Sequence, residues 1–425
     1  MDVIKTFGNL VSKETLIDPE KARKLLLAGY RLQEKNLQFF PDRKLPPSGQ
    51  YVARIVMQTG IKALANPEDT ALVSIFAPGE LLAAAGITPY SVEAMSCFLA
   101  ATKCEQTFLE QTEANGFPET LCSYHRVFLG AATAGLVPKP KCIVYTNLAC
   151  DGNMMTFPYL KEKYRVPAFY IEVPYEKNQD AILYVARQLR GLKSFLEEVT
   201  GNAIPEQAVQ KAVVNSKKAA LYYKQQLALR KDHNPASTLT NDLYALFMCH
   251  LLAGTPESLK YTELLLEDVK RAPKALGPCI LWLHTMPFMQ KAARNAFDYQ
   301  PTIHLGACDF IADGFQQMQA SDPYEALAGK MVNCIYNGSV EQRIQRNQEL
   351  ARLIDADGAI LFAHWGCKNT LGASSLLKST LENAGLPTLV LDGDGCNPAN
   401  NSDGQTSTRL QAFIEMLEKR TKEKQ

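Results

Sequence analysis

The chain has 425 residues, of which 46% are hydrophobic, and it can therefore bury two or three cores of ordinary domain size. Lysine and arginine number 45 and aspartate and glutamate 44, so no net charge of either sign attracts nucleic acid or an anionic membrane surface. These numbers exclude a single small module and a partner that is recruited by charge alone.

The apolar stretches are shorter than the roughly 20 residues that a membrane-spanning helix needs. The N-terminal segment MDVIKTFGNLVSKE lacks the apolar core and the small-residue cleavage site of a secretion signal. We therefore expect a cytoplasmic protein with no membrane partner and no nucleic-acid partner.

The first part of the sequence predicts helices and then a parallel sheet. Residues 1 to about 65 mix charged and apolar residues at helical spacing, with a break at Pro41 to Pro47. Three short apolar runs follow, each next to a turn or a helix-forming stretch, and they predict strands at 71–76, 142–145 and 168–173. Because strands alternate with helices, the sheet is expected to be parallel and covered on both faces.

The pattern of residues 178–272 predicts helices, because LYVARQLRGLKSFLEEVTG places apolar residues three and four apart. Four later apolar runs predict the strands of a second sheet: GPCILWLHTMP, QPTIHLGACDFIAD, DGAILFAHWGC and LPTLVLDGDGC. We expect an α/β fold with two flavodoxin- or Rossmann-like parallel-sheet domains and helical N-terminal and middle segments. The predicted boundaries are 1–65 for the N-terminal helical region, 66–177 for the first α/β domain, 178–272 for the helical segment and 273–425 for the second α/β domain.

Eleven cysteines are more than a cytosolic protein of this size needs, and a reducing compartment argues against a disulfide framework. The sequence has no CxxC pair and no zinc-finger spacing, so any metal site must be assembled from distant segments. Ligands of open parallel sheets collect beyond the carboxyl ends of the strands. Cys150, Cys367 and Cys396 are predicted to lie in such loops.

Seven motifs occur in a fixed order along nearly the whole chain: PGELLAAAGITPY, LCSYHRVFLG, NLACDG, FYIEVPYE, LEEVTGN, HWGCKNTLG and TSTRLQAFIEMLE. The pattern PxELxxAxG alone occurs at the start of many α/β domains. The comparison therefore depends on the combined order and spacing of the seven motifs. On these motifs the chain resembles the 2-hydroxyacyl-CoA dehydratase and benzoyl-CoA reductase family, and within it the D-component type of 2-hydroxyglutaryl-CoA dehydratase.

The resemblance implies a 4Fe-4S cluster held by three cysteines, which correspond to Cys122, Cys150 and Cys367 in this sequence. Since Cys367 belongs to the second α/β domain, the cluster would bridge two domains. Three thiolates leave one iron open to water or to a substrate oxygen, whereas a fourth cysteine would make the cluster an electron relay. The sequence leaves these two possibilities open.

A cysteine is often only a small buried hydrophobic residue. This reading is favoured for the cysteines in apolar runs, which are Cys142, Cys249, Cys279, Cys308 and Cys334. For Cys122, Cys150 and Cys367 the ligand reading is favoured, because each stands beside polar or small residues at a turn. For Cys97, Cys104 and Cys396 both readings stay open.

Glu80 and His125 are the candidate catalytic residues. Glu80 follows Pro78 at a strand end, where it can face a cleft, or it can be a first-turn glutamate that the helix dipole favours. His125 and His364 flank proposed ligands and could donate hydrogen bonds to cluster sulfurs or to a thioester carbonyl, or they could be ordinary histidines. Arg126 could pair with CoA phosphates, although a structural ion pair is the simpler interpretation.

The resemblance implies an iron-sulfur subunit of a 2-hydroxyacyl-CoA dehydratase. The β-hydrogen of such a thioester is not acidic, so ordinary acid-base catalysis would struggle, and the family is understood to pass through a ketyl radical made with one low-potential electron. An ATP-hydrolysing iron-sulfur activator is implied as the electron donor, because this chain has neither a GxxxxGK[ST] loop nor a GxGxxG motif. A homologous sister subunit and an acyl-CoA substrate are the other implied partners.

Two alternatives remain in the same family. One is a reductase subunit, either benzoyl-CoA reductase-like or with a double-cubane cluster, although the region after Cys308 lacks the additional cysteine that a double cubane would be expected to need. The other is a subunit that only relays electrons. The length of the chain favours the substrate-binding subunit over the shorter sister type.

Overall fold

Two separate four-stranded parallel sheets form the centre of the molecule. The structure is a computed structural model that describes residues 2–424. The strands of the first sheet are β1 (Thr70–Val73), β2 (Thr88–Ser91), β3 (Cys142–Thr146) and β4 (Ala168–Ile171). Those of the second are β5 (Cys279–Leu283), β6 (His304–Cys308), β7 (Gly358–His364) and β8 (Thr388–Gly393). The predicted α/β class with two parallel-sheet domains is confirmed, whereas the residue numbers of the domain boundaries stay predictions.

Helices precede, separate and cover the two sheets. The N-terminal helices are α1 (Val3–Ile17), α2 (Pro19–Phe39) and α3 (Pro47–Ala65). With the first sheet come α4 (Gly79–Ala84), α5 (Val92–Ala101), α6 (Glu105–Ala114), α7 (Ser123–Thr133) and α8 (Asn153–Tyr164). The middle segment contains α9 (Gln179–Thr200), α10 (Glu206–Leu229), α11 (Leu239–His250) and α12 (Pro256–Arg271). With the second sheet come α13 (Lys291–Phe297), α14 (Asp309–Gly314), α15 (Pro323–Val332), α16 (Val340–Leu353), α17 (Lys368–Asn383) and α18 (Asp403–Lys424).

The two sheets share one topology. Their strand orders are β2-β1-β3-β4 and β6-β5-β7-β8, which is the flavodoxin-like order in both cases. In each sheet the chain leaves one central strand toward one edge and the other central strand toward the opposite edge. This reversal opens a crevice at the carboxyl ends of β1 and β3 in the first sheet and of β5 and β7 in the second. We call β1–β4 with α4–α8 the first lobe, and β5–β8 with α13–α18 the second lobe.

Each sheet has an apolar central strand that is buried on both faces. Leu72 of β1 pairs with Tyr90 and Ile143, and Leu281 of β5 pairs with Ala359. Leu72 and Leu281 are both inaccessible to solvent. Helices on both faces of a parallel sheet require such continuous apolar strands, and this explains why the short β-branched and leucine-rich runs fold as strands here.

Strand β2 is missing from the strands predicted from the sequence. Its four residues, TPYS, contain Pro89 and show no apolar run. β2 lies at the edge of the first sheet, where a residue without a backbone N–H is tolerated because one side of the strand needs no ladder hydrogen bond. The first predicted strand was also too long, since β1 ends at Val73 and the residues up to Phe76 form a loop.

The N-terminal helices contact both the first lobe and the middle helices. The Arg23 guanidinium of α2 donates hydrogen bonds to the carbonyls of Gly135 and Leu136 at 2.9 and 2.8 Å. The backbone N–H of Ser48 in α3 donates to Asp268 of α12 at 2.7 Å. Across residues 2–424, no helix combines the length and the apolar character needed to cross a bilayer.

Candidate functional site

The loops that leave the two crevices meet between the lobes. Cys122 of the first lobe lies 3.2 Å from His364 of the second, measured from Sγ to Nε2. The hydroxyls of Tyr124 and Thr285 lie 3.3 Å apart, and the Ser123 hydroxyl donates to the carboxylate of Asp394. The carboxyl ends of both sheets therefore face one shared region, where ligands of such folds collect.

Each of the three predicted cysteine ligands lies at the N-terminal end of a helix. Cys122 is the N-cap of α7 and Cys367 the N-cap of α17, while Cys150 precedes α8 by three residues. The backbone N–H of Tyr124 points to the Cys122 sulfur, and those of Gly152 and Asn153 point to the Cys150 sulfur. Free N–H groups and the helix dipole stabilise negative charge at such positions, and a thiolate carries that charge.

Left-handed backbone turns aim two of these cysteines. Ala149, immediately before Cys150, has φ +62°, and Gly366, immediately before Cys367, has φ +80°. Gly366 also packs against the backbone of Cys122, where an added Cβ would lie 2.7 Å from the Cys122 Cα. Only glycine fits this approach, so the WGC sequence both reverses the chain and brings Cys367 up to Cys122.

The three thiols form a neighbouring set that differs from the other cysteines. The charges of Cys150 and Cys367 both act on Cys122, and the charge of Cys367 acts on Cys150. All three are partly exposed, whereas the other eight cysteines are buried. Within residues 2–424, no group of three or more His, Cys, Asp or Glu side chains is arranged to hold a metal ion. The three thiols thus do not converge on one point that could hold a single metal ion.

An imidazole faces each of the three sulfurs. The Cys122 Sγ lies 3.2 Å from Nε2 of His364, and the Cys150 Sγ lies 3.3 Å from Nε2 of His125. The third pair is looser, with 3.6 Å between the Cys367 Sγ and Nε2 of His284. Such partners hold ligand sulfurs in place and tune the metal that they bind.

Burial keeps these imidazoles neutral. It lowers the pKa of His125 to about 4, with a smaller contribution from His364, and it lowers the pKa of His364 and His284 as well. The backbone N–H of Gly395 donates to Nδ1 of His364 at 3.1 Å. Since Nδ1 is the acceptor, the ring proton lies on Nε2, and His364 donates a hydrogen bond to the Cys122 sulfur.

Two of the thiols, those of Cys122 and Cys150, resist ionisation without a positive charge nearby. Burial raises the pKa of Cys122 well above its usual value, and the charges of Cys150, Cys367 and Asp394 raise it further. Burial likewise raises the pKa of Cys150 to about 12. Two such neighbouring sulfurs become thiolates together only when cations between them offset their mutual repulsion, which is the situation that a metal cluster creates.

Glu80 lines a separate, mostly apolar cavity between the lobes. It belongs to the first turn of α4 and is buried. Its Oε1 accepts hydrogen bonds from the Ser216 hydroxyl at 2.8 Å and from Nζ of Lys330 at 3.2 Å. Lys330 belongs to the second lobe, so this buried ion pair joins the two lobes.

An aromatic layer separates the Glu80 cavity from the thiols. The cavity has a volume of about 30 Å³, room for about two water molecules, and its walls include Phe76, Leu148 and Met331. Phe76 stacks on Phe310 at 5.4 Å between ring centroids, and Phe310 stacks on His284 at 6.1 Å. His284 in turn faces Cys367. The rings of Phe76, Phe310 and His284 thus connect the wall of the Glu80 cavity to Cys367.

Comparison with known proteins gives the family of this chain. The family described as 2-hydroxyglutaryl-CoA dehydratase, D-component, matches residues 74–417. This chain belongs to that family. The resemblance predicted from the seven motifs is therefore confirmed, and the matched region contains β2 to β8, the three cysteines and Glu80. The family is one of dehydratase components, which are hydro-lyases.

Characterised relatives of this D-component family member are alpha subunits of dehydratases. The chain is 22% identical over 367 residues to the (R)-phenyllactyl-CoA dehydratase alpha subunit of Clostridium sporogenes, covering 80% of this chain and 87% of the relative. It is 22% identical over 395 residues to the lactoyl-CoA dehydratase subunit alpha of Anaerotignum propionicum, covering 80% and 89%. The (R)-2-hydroxyglutaryl-CoA dehydratase subunit alpha of Acidaminococcus fermentans is 21% identical over 304 residues, covering 66% and 61%.

Arg126 and the remaining cysteines lie in structural positions. Arg126 pairs with Glu113, so the structure places it in an ion pair and not at the mouth of the site. The cysteines in apolar runs are all buried, as are Cys97, Cys104 and Cys396. Cys396 lies beside Cys97, and both the Cys97 thiol and the Cys122 charge act on it. Cys396 is therefore a further thiol close to the three-cysteine set.

Two residues of the site were not predicted from the sequence. His284 follows β5, and Asp394 follows β8, so both obey the same strand-end rule that singled out Cys150 and Cys367. Asp394 accepts from the Ser123 hydroxyl and from the backbone N–H of Cys396. A polar residue directly after each buried strand was the available signal.

A large open groove lies on the second lobe, away from the predicted site residues. The groove, of about 740 Å³, runs between β8, α17 and α18, and its walls include Lys378, Arg409 and Phe413. It contains none of the predicted site residues. Its size alone does not make it a site.

Proposed function

We propose that this chain is the iron-sulfur subunit of a dehydratase that removes water from a 2-hydroxyacyl-CoA thioester. In this proposal Cys122, Cys150 and Cys367 hold one 4Fe-4S cluster. The supporting observation is the meeting of three partly exposed thiols, each at a helix N-terminus and each facing a neutral imidazole, in a member of the D-component family.

The donor set fits such a cluster. Each iron of a 4Fe-4S cluster takes one terminal ligand, so its thiolates surround the cluster and need not converge on a single ion. Three thiolates leave one iron without a protein ligand. The helix N-termini and the ring N–H of His364 provide hydrogen bonds to the sulfurs, and such bonds tune the potential of a cluster.

The proposed chemistry explains the need for a redox centre. The β-hydrogen of a 2-hydroxyacyl thioester is not acidified by a neighbouring carbonyl, so a base alone removes it slowly. When bound, the cluster supplies one-electron chemistry at low potential. The chain's own residues then have to bind the substrate, exclude water and move the proton.

We assign the proton-transfer role to Glu80 and a hydrogen-bonding role to His125. Glu80 is a buried carboxylate that Ser216 and Lys330 hold in place, one aromatic layer from the thiols. Because the cavity beside it has room for about two water molecules, an acyl chain can enter only if wall residues such as Phe76 move. His125 can donate from Nε2 toward the Cys150 sulfur or a thioester oxygen.

The partners in this proposal are an acyl-CoA, a homologous sister subunit and an ATP-hydrolysing iron-sulfur activator. Support for the sister subunit comes from the relatives, which are named alpha subunits. Support for an external electron donor comes from the sequence, which lacks both nucleotide-binding motifs sought above.

The test is anaerobic purification from the native cells with the associated subunits, followed by iron and sulfide counts and EPR. We expect about four irons and four sulfides bound by this chain. Addition of the activator with ATP should permit dehydration of at least one substrate among lactoyl-, phenyllactyl-, 2-hydroxyglutaryl- and 2-hydroxyisocaproyl-CoA. A chain without iron, or one that reduces these thioesters without releasing water, would contradict the proposal.

A second candidate function is electron relay without substrate chemistry. The observation that favours it is the position of Cys396, whose thiol is close enough to Cys122 for the two charges to interact. If Cys396 closed the cluster, Cys396→Ala would change the EPR signal and lower the iron count. Under the dehydratase proposal, the same variant keeps its iron.

A further inference from the structure

A buried arginine lies behind the third cysteine. Arg343 of α16 is 2% exposed, and its guanidinium lies over the ring of Tyr336 with 4.4 Å to the centroid. Nη2 donates to Asp309 at 3.3 Å, while Nη1 lies 3.4 Å from both Asn369 and Thr370. Burying a guanidinium so completely is costly, so a charge kept there needs a reason.

The network around Arg343 supports both members of the third thiol–imidazole pair. Asn369 and Thr370 form the first turn of α17, the helix that Cys367 caps. The Asp309 carboxylate accepts from the backbone N–H of His284 at 2.7 Å. His284 has φ +80°, a left-handed conformation that is strained for a residue with a side chain and persists only where its surroundings hold it.

The two charges of the pair face different neighbours. Asp309 is directed to the Tyr336 hydroxyl, at 2.8 Å, and to the His284 amide. Burial alone would lower the pKa of Arg343, but the charges of Tyr336, Asp309 and Cys367 raise it. The guanidinium therefore contacts the first turn of the helix that Cys367 caps, and the charge of Cys367 acts on it.

We propose that Arg343 is a positioning residue that holds Cys367 and its helix at the cluster site and raises the reduction potential of the bound cluster. This inference rests on the function proposed above. A fixed positive charge stabilises the more negative, reduced form of a cluster. Asp309 partly offsets that charge, so changes at the two residues should shift the potential in opposite directions.

The experiment compares anaerobically purified, reconstituted chains by iron content and by redox titration followed with EPR. Arg343→Met should make reduction at least about tenfold less favourable, a negative shift of about 59 mV for one electron. Asp309→Asn keeps the shape of the side chain and should shift the midpoint positively. Arg343→Lys keeps the charge and should stay close to the unchanged chain in potential while binding iron less firmly, because an ammonium cannot contact Asp309, Asn369 and Thr370 together.

Arg126→Met is the matched control. Arg126 is also a buried arginine, 4% exposed, and its charge partner is Glu113 in the first lobe. Its loss should lower stability without shifting the midpoint. Shifts of equal sign for Arg343→Met and Asp309→Asn, or no shift in either, would overturn the inference, because a purely structural network has no reason to give opposite signs.

Two further outcomes separate this inference from the proposed function. If Arg343→Met does not retain iron, the midpoint potentials of Asp309→Asn and Arg343→Lys still test the inference. An unchanged midpoint potential in Asp309→Asn would then overturn it. An unchanged chain that binds no iron would overturn the proposed function and this inference with it. An iron-loaded chain whose midpoint ignores both residues would overturn the inference alone.

Discussion

The first and second lobes have the same strand order but contribute differently to the site. The first lobe provides two thiols, Cys122 and Cys150, and the buried Glu80. The second provides one thiol, Cys367, together with two imidazoles and the Arg343–Asp309 pair. One common fold thus places the ends of its strands in one region twice, and the residues of the loops and helices that follow decide how much sulfur and charge each lobe supplies.

The comparison also shows where the lobes depend on each other. The Cys150–His125 pair lies within the first lobe, and the Cys367–His284 pair lies within the second. The third joins Cys122 of the first lobe to His364 of the second, and the Glu80–Lys330 ion pair crosses the same boundary. The site is therefore complete only when the lobes are together, and the following experiments test that dependence.

The largest effect is expected from removing a proposed ligand of the first lobe. Cys150→Ala should lower the affinity of the site for iron. The loss should exceed the roughly 10–100-fold that follows when a residue hydrogen-bonded to a metal ligand is removed. The reason is that one iron would lose its only protein sulfur. Iron and sulfide counts after anaerobic reconstitution measure the effect.

Cys142→Ala is the control for this experiment. Cys142 lies on β3 of the same lobe but is fully buried among apolar residues, so its loss should cost packing and leave the iron count unchanged. Equal iron content in Cys150→Ala and Cys142→Ala would remove Cys150 from the ligand set.

The second effect concerns catalysis by the first lobe. Glu80→Gln should reduce kcat by about 10²–10⁴, the usual contribution of a proton-transferring side chain, while iron content stays the same. The amide oxygen can still accept from Ser216 and Lys330, so the fold should survive. Glu105→Gln, another buried glutamate of the first lobe, should leave kcat unchanged. If both variants had similar kcat values, Glu80 would have no catalytic role and would act only in its ion pair with Lys330.

Seven of the eight strands could be predicted from the sequence, because each is a short, continuous apolar run. The exception, β2, has no such run, since a proline-containing edge strand needs fewer apolar side chains and fewer ladder hydrogen bonds. The three cysteines could be singled out because they follow turns and match family motifs. Their position at helix N-termini follows from the same local rules.

The contacts across the site could not be predicted. Arg343 lies in α16, where an arginine three residues into a charged helix has the pattern of an exposed residue, yet it is buried against Asp309. Sequence periodicity gives the faces of a helix, but which polar residue turns inward depends on partners in distant segments. The same limit applies to Lys330, whose contact with Glu80 spans 250 positions of the chain.

The third effect tests the ion pair between the lobes. Lys330→Met should lower the free energy of unfolding by about 3–5 kcal/mol, because Glu80 would stay buried without its charged partner. Lys260→Met removes the partner of Glu263 in an exposed pair and should cost at most about 1 kcal/mol. Urea unfolding of both variants measures the difference. Equal losses would mean that the Glu80–Lys330 pair contributes no more than a surface contact.

The smallest effect distinguishes the lobes by acid sensitivity. Three buried histidines, His284, His304 and His364, belong to the second lobe and one, His125, to the first. Burial lowers the pKa of His304 to about 4, with a contribution from Arg230, against about 6.5 in an unfolded chain. The unfolded chain therefore binds one proton more between about pH 6.5 and pH 4, so the stabilisation is complete above this range and is lost as the pH falls through it.

His304→Gln should remove the extra proton that His304 binds in the unfolded chain, and the variant should keep the fold. His304 lies on β6, where Nε2 contacts the Arg230 carbonyl at 3.2 Å, away from the thiols. The slope of unfolding free energy against pH should decrease by about 1.4 kcal/mol per pH unit over this range. His125→Gln should cause a similar change of slope through the first lobe. Urea unfolding at several pH values measures both changes of slope. If the second lobe loses structure before the first on acidification, the lobe with more buried imidazoles is the less stable one in acid.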